Sequence, residues 1–226
     1  MLSIRNLSKK YGKKKVLNQI ELQFKPGEIS GIVGENGAGK TTLFKCIAGL
    51  ESHEGEIHHP LKNVKNMSGF LETNPEFLSK ITGKEYLQLL CNARNIKNVH
   101  FEEKNIFDLP LQQYAETYST GMKKKLALTG VLLQQNDIFI LDEPFNGVDI
   151  HSNLIIKELL KSLKEKGKIV LLSSHIFSTL QDTCDHLHYL KAGKIEHSVK
   201  REDFKKIEKL MLNAGLSDKV KEFNIK

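Results

Sequence analysis

Residues Gly34–Thr42 read GENGAGKTT, which fits the spacing G-x-x-x-x-G-K-[ST]. Glycines at these places let the backbone curl until successive N–H groups point inward, an arrangement that grips phosphate oxygens. Lys40 then reaches the β- and γ-phosphates of a nucleotide, the Thr41 hydroxyl is placed to ligate Mg²⁺, and the helix that follows adds its positive N-terminal end. Gly34, Glu35, Asn36, Gly37, Ala38, Gly39, Lys40, Thr41 and Thr42 are therefore the candidate phosphate-binding residues. A site of this kind needs a carboxylate for the metal at the end of a buried strand. DIFILDE supplies it, with Ile138–Leu141 as the apolar run, Asp142 as the metal carboxylate and Glu143 aimed at the γ-phosphate, where it can polarise an attacking water as general base. A further apolar run, KIVLLSS, ends in His175, which can hydrogen-bond the γ-phosphate and orient the water.

Such residues meet only if parallel strands deliver them to one edge, since open α/β sheets bind ligands beyond the carboxyl ends of their strands. The hydrophobic pattern agrees. EISGIVG reads as a strand running into the glycine loop, TTLFKCIAGL has helical spacing and ends at a glycine, and DIFIL, KIVLLS and DHLHYL are short strands separated by helical stretches such as Ile150–Lys166. LSIRNL and LNQIELQF alternate at period two and GEIHH follows a turn glycine, which predicts an antiparallel element near the N-terminus. From about Gly83 to Leu133 the pattern is mostly helical with no strong strand, so a helical lobe is expected there. In the tail, Phe204, Ile207, Leu210 and Met211 share one helical face, which predicts a helix ending near Gly215 and packing on the core.

At 226 residues and 39% hydrophobic, the chain can bury a real core. Its longest apolar runs fall far short of the roughly 18 residues that a membrane helix needs, and MLSIRNLSKK contains no continuous apolar leader segment. Cys46, Cys91 and Cys184 are widely spaced and odd in number, so reduced, buried thiols are expected. His58–His59 and His186–His188 lack further ligands at zinc spacing and read as strand histidines. A net charge of +7 suggests an anionic partner: nucleotide, nucleic acid or anionic lipid.

With these motifs in this order the chain resembles the nucleotide-binding subunits of ATP-binding cassette (ABC) transporters, from Leu2 to about Ser198. Gly34–Thr42 match that family's Walker A loop, Asp142 and Glu143 its Walker B pair, NGVD ending in Asp149 its D-loop, and His175 its switch histidine. Tyr11, in KKYGKKKVL, matches the aromatic that stacks on adenine. YSTGM, Tyr118–Met122, matches the signature commonly written LSGGQ, although it contains no acid or nucleophile. In the family two subunits pack head to tail, and the signature of one closes over the ATP held by the other. The resemblance therefore implies that Ser119, Thr120, Gly121 and Met122 act in trans, with Ser119 as a helix N-cap, Gly121 admitting close approach, and Lys123–Lys125 adding positive field.

The implied fold is α/β: a P-loop NTPase (RecA-like) core with an antiparallel β subdomain and an inserted helical subdomain of about residues 83–133. The cassette would occupy residues 1–200 and a helical tail 201–226. The signature departs from the family at Thr120 and Met122. In GFLETNPEF, the family's Q-loop position falls on Thr73 with Glu72 one residue earlier, and either could serve. The resemblance implies ATP and Mg²⁺ as ligands, a separate transmembrane permease of the ABC-2 type, a second nucleotide-binding subunit, identical or different, and a cytoplasmic place on the inner face of the membrane. Export is the expected direction. A soluble relative acting on nucleic acid or the ribosome is the alternative, but such proteins carry a second cassette or a long coiled coil, so nucleic acid is not the expected partner.

Overall fold

The structure, a computed structural model, describes residues 1–60 and 63–213. Strand β1 (Leu2–Tyr11) pairs antiparallel with β2 (Lys14–Phe24). The chain then enters β3 (Glu28–Val33), buried from Ile29 onward, and helix α1 (Lys40–Ile47). β4 (Glu54–His58) returns to the other side of β1, completing a three-stranded antiparallel sheet of order β2-β1-β4. Asn6, at φ 51°, bulges β1, so that Leu2, Ile4 and Leu7 all reach the same core despite their mixed parity.

A short helix α2 (Val64–Met67) leads into β5 (Ser68–Leu71), and the chain then forms helices α3 (Gly83–Asn92) and α4 (Thr120–Leu133). After them come β6 (Ile138–Leu141), α5 (Ile150–Glu165), β7 (Ile169–Ser173), α6 (Phe177–Thr183), β8 (His186–Lys191), β9 (Lys194–Lys200) and α7 (Phe204–Asn213). The six-stranded sheet has the order β5-β6-β7-β3-β8-β9, parallel except for β9, which runs antiparallel to β8.

This sheet is covered on both faces, as continuous apolar strands require. Phe139, Leu141, Val170 and Leu172 join the core under the helices, whereas Ile138, Ile140, Ile169 and Leu171 join the core shared with α1 and the antiparallel sheet. The alternation along β6 and β7 divides one run of hydrophobics between two cores.

The helical lobe departs from the sequence expectation. Only α3 and α4 are α-helices between residues 83 and 133; residues 93–114 are turns and loop, with a 3₁₀ turn at Ala115–Thr117. Asn95, Asn98 and Asp108 take left-handed φ values of 56°, 58° and 50°, each incompatible with a continuing helix. Phe101, Phe107, Leu109 and Leu111 from this loop are nevertheless buried, which explains why its composition resembled a helix. Thr82 and Glu85 form a reciprocal capping box at the start of α3. In the tail, Phe204 and Ile207 are buried and Met211 packs against them, while Leu210 is 37% exposed; the expected helix end near Gly215 lies outside the described residues. Among the described residues no helix is long and apolar enough to cross a membrane.

His58 sits on β4, and His186 and His188 on β8. His188 is 7% exposed, edge-on to Phe24, with Nδ1 at 2.8 Å from Ser198 Oγ and Nε2 without a partner. Burial, helped by neighbouring His186, pushes its pKa down to about 4. Because the folded value lies below the unfolded one, its contribution to stability is complete above the unfolded pKa of about 6.5 and is lost as pH falls from there toward 4. A loss of about 3 kcal/mol is expected over that window. His188→Phe should show a smaller drop in urea midpoint between pH 7 and pH 5 than the wild type; equal drops would assign the titration to another group.

Candidate functional site

The glycine loop fills the space between the end of β3 and the start of α1. A Cβ at Gly34 would lie 2.2 Å from the Leu190 carbonyl oxygen, so only glycine lets the loop rest on the end of β8. Behind it, the Gly193 N–H donates to the Ala38 carbonyl at 3.2 Å. The loop is thus braced by the turn between β8 and β9. Lys40 closes it from the front, its Nζ donating to the carbonyls of Gly34 (2.7 Å) and Glu35 (3.1 Å). Burial lowers the Lys40 pKa, and the Glu143 and Asp142 carboxylates oppose that shift. A cleft of about 250 Å³ opens here, lined by Asn36, Gly37, Gly39, Lys40, Thr41, Thr73, Asp142 and Glu143. A roomier cleft beside His53 and His58, about 380 Å³, brings together no comparable set of charged and hydroxyl groups.

Asp142 is the hub. It is 1% exposed and accepts three hydroxyl hydrogen bonds: Thr41 Oγ1 (2.6 Å) and Thr73 Oγ1 (2.7 Å) on Oδ2, and Ser173 Oγ (2.5 Å) on Oδ1. The strand order explains the third. β7 lies between β6 and β3, so the last residue of β7 falls between the carboxylate and the glycine loop. Ser173 Oγ also accepts the Glu143 N–H at 2.9 Å. Glu143 has a left-handed backbone, φ 53°, and its Oε2 lies 2.8 Å from His175 Nδ1 and accepts the His175 N–H at 3.3 Å. Asp142, Glu143 and His175 therefore stand together as their strand-end positions predict.

Of the two Q-loop candidates, Thr73 reaches the cleft. Glu72 turns toward α1 and pairs with Lys45 at 3.3 Å. Lys124 departs from the sequence expectation more sharply: instead of presenting positive field to a polyphosphate it is 1% exposed, and its Nζ donates to the carbonyls of Glu72 (3.1 Å), Glu143 (3.2 Å) and Thr73. Burial pushes its pKa down to about 8 against the pull of Asp142 and Glu143. Helical spacing carried a signal for this placement, because Lys124 shares a face with the buried Ala127, Leu128 and Val131. Ser173 carried none, since the strand order that makes it central cannot be read from the residues.

Ser119 caps α4, accepting the Met122 N–H at 3.2 Å. A Cβ on Gly121 would lie 2.5 Å from the Gly147 carbonyl oxygen, so within one chain Gly121 is required by contact with the NGVD turn. Thr120 also lies beside Gly147. Asp149 caps α5 by accepting the Ser152 N–H and hydroxyl, both at 2.8 Å, and pairs with Lys125 at 3.2 Å. These contacts, the Ser152 N–H first, hold its carboxyl well below the usual carboxylate range. Ser119, Thr120, Gly121, Met122 and Asp149 form a surface separate from the cleft lining. Tyr11 is also outside that lining; it is 45% exposed at the end of β1, with the Lys9 ammonium 4.8 Å from its ring centroid. Among the described residues no group of three or more His, Cys, Asp or Glu is arranged to hold a metal.

A family model described as "ABC transporter" matches residues 17–146. The chain is 33% identical over 221 residues to the uncharacterized ABC transporter ATP-binding protein YdbJ of Bacillus subtilis (strain 168), covering 88% of this chain and 69% of that one. It is 32% identical over 234 residues to the bacitracin transport ATP-binding protein BcrA of Bacillus licheniformis, covering 96% of this chain and 75% of the relative. A solved structure of an ATP-binding subunit of an ABC transporter superposes with a TM-score of 0.83 at 26% identity, covering 97% of both chains.

Lys40→Ala removes a charge-assisted phosphate contact worth about 1.5–3 kcal/mol, so the dissociation constant for a nucleoside triphosphate, measured by titration calorimetry, should rise roughly 10- to 100-fold. Unchanged affinity would remove Lys40 from the phosphate cradle.

Proposed function

The chain belongs to the ABC transporter family, as an ATP-binding subunit that hydrolyses ATP to power a membrane transporter, and from that premise we propose how its residues divide the work. The observation that carries the assignment is the cleft in which Lys40 and Thr41 face Asp142, with the Glu143–His175 pair beside it. The backbone N–H groups of Gly34–Thr41 and the Lys40 ammonium hold the β- and γ-phosphates of ATP. Thr41 and Asp142 would hold Mg²⁺, which would offset the charge of the phosphates; a hydroxyl and a carboxylate are the hard oxygen donors that this ion takes. Thr73, bonded to the same carboxylate oxygen as Thr41, occupies the Q-loop position in place of a longer amide.

Glu143 accepts a proton from the attacking water at Oε1 or Oε2, and His175, in contact with Oε2, orients that carboxylate. Tyr11 stacks on adenine from the rim. The surface of Ser119, Thr120, Gly121 and Met122, at the N-terminal end of α4, meets the γ-phosphate of ATP held by a second nucleotide-binding subunit, and Asp149 lies along that interface. Donors that reach the phosphate only in the closed pair act as an arginine finger supplied in trans does. Binding ATP then joins the two subunits and hydrolysis releases them.

A separate transmembrane permease completes the transporter, with this subunit docked on its cytoplasmic side. The permease we propose is of the ABC-2 type and the direction is export; a bacitracin transport ATP-binding protein is among the chain's relatives.

Glu143→Gln should retain ATP affinity and lose about 10²- to 10⁴-fold in turnover, with an ATP-dependent dimer detected by light scattering. Near-normal turnover would remove Glu143 as the base. Adding Ser119→Arg to that variant should abolish the dimer without weakening ATP binding by the monomer, and a surviving dimer would refute the contact in trans.

A further inference from the structure

We propose that Lys124 is a positioning residue for hydrolysis: from the helix that carries Ser119–Met122, its buried ammonium grips the carbonyls of Glu72, Thr73 and Glu143 and fixes the two backbone segments that present Thr73 and Glu143 to the cleft. The inference rests on Glu143 acting as the base.

The stoichiometry of the contact is complete. An ammonium has three N–H donors, and the three carbonyls use them all. No donor remains for solvent or substrate, and Lys124 is absent from the cleft lining, so it acts through the groups it holds. A buried charge is costly, and an apolar side chain of similar length would fill this position at lower cost. What an apolar side chain cannot do is bind three carbonyls that arrive from two different strand ends. The segment after β5 brings Glu72 and Thr73, and the end of β6 brings Glu143.

Glu143 has particular need of such a hold. Its left-handed φ of 53° is strained for a residue with a side chain and persists only where the surroundings enforce it. On one side its N–H is taken by Ser173 Oγ; on the other its carbonyl accepts from Lys124 and from the Asn146 N–H at 3.2 Å. Thr73 is held in the same way, its hydroxyl on Asp142 and its carbonyl on Lys124. The Q-loop hydroxyl and the carboxylate of the base are thus fixed to one another through a single side chain of α4. Burial lowers the Lys124 pKa to about 8, and Asp142 and Glu143 favour the protonated form that the clamp requires.

The test compares wild type, Lys124→Met, Lys124→Gln and Thr73→Ala. For each, ATP affinity is measured without Mg²⁺, the single-turnover hydrolysis rate is measured at saturating ATP with Mg²⁺, and folding is checked by thermal melting. Lys124→Met should bind ATP within about threefold of wild type and hydrolyse it roughly 10- to 100-fold more slowly, since a misplacement of about 1 Å costs on that order. Lys124→Gln, whose amide still donates to two carbonyls, should recover part of the rate. Combining Lys124→Met with Thr73→Ala should cost less than the product of the two single effects, because both act on one segment.

An unchanged rate, or a loss confined to ATP affinity, overturns the proposal, as do fully multiplicative effects in the double variant. Should the Met variant not fold, the Gln variant decides by the same criteria. A wild-type chain with no ATP hydrolysis would instead overturn the underlying assignment, an outcome the wild-type control separates from failure of Lys124 alone.

Discussion

The carboxylate of Asp142 is the constraint around which the molecule is arranged. At 1% exposure it must be compensated, because an ion taken out of water persists only where donors surround it. The three donors come from three elements: Thr41 from α1, Thr73 from the segment after β5 and Ser173 from the end of β7. Their meeting requires the strand order β5-β6-β7-β3, which sets the strand ends of both the glycine loop and Glu143 around one point. The two apolar cores keep that sheet rigid, and the loop gains further support from Leu190 and Gly193 at the far end of β8.

The same economy of contact governs the second surface. Gly121 and the Gly147 carbonyl approach so closely that no side chain fits between them, and Lys125 and Asp149 pair alongside. The start of α4 and the start of α5 are therefore packed together at the NGVD turn. Asp149 also caps α5, so the NGVD turn is tied to the helix packed on β7. The start of α4 is thus tied to the sheet by way of α5, and separately, through Lys124, to the backbone of Thr73 and Glu143.

What was legible in the sequence was the chemistry whose spacing is local. The glycine loop, the apolar run before Asp142 and the strand before His175 announce themselves because each motif carries its own positioning element. The choice between Glu72 and Thr73 was not legible, because it depends on how β5 registers with β6, Leu71 opposite Leu141, and on where the chain turns next. The loop of residues 93–114 misled because Phe101, Phe107, Leu109 and Leu111 are buried by tertiary packing, while the left-handed asparagines that break the helix are hard to distinguish from ordinary polar residues. Lys124 was hidden between two other lysines, and only the helical period, which puts it over Ala127 and Leu128, separates it from them.

Two buried lysines and two carboxylates share the site, and their hydrogen bonds divide their tasks. Both ammonium groups have pKa values lowered by burial and supported by Asp142 and Glu143, so electrostatically they resemble one another. Their partners differ. Lys124 has all three donors committed to carbonyls of the scaffold. Lys40 makes two such bonds, both to the glycine loop at the mouth of the cleft, and keeps a donor available. A polyphosphate entering the cleft can therefore recruit Lys40 without dismantling anything that holds Glu143 or Thr73. The ammonium that faces the cleft is thus separate from the ammonium that holds the backbone of Glu143 and Thr73.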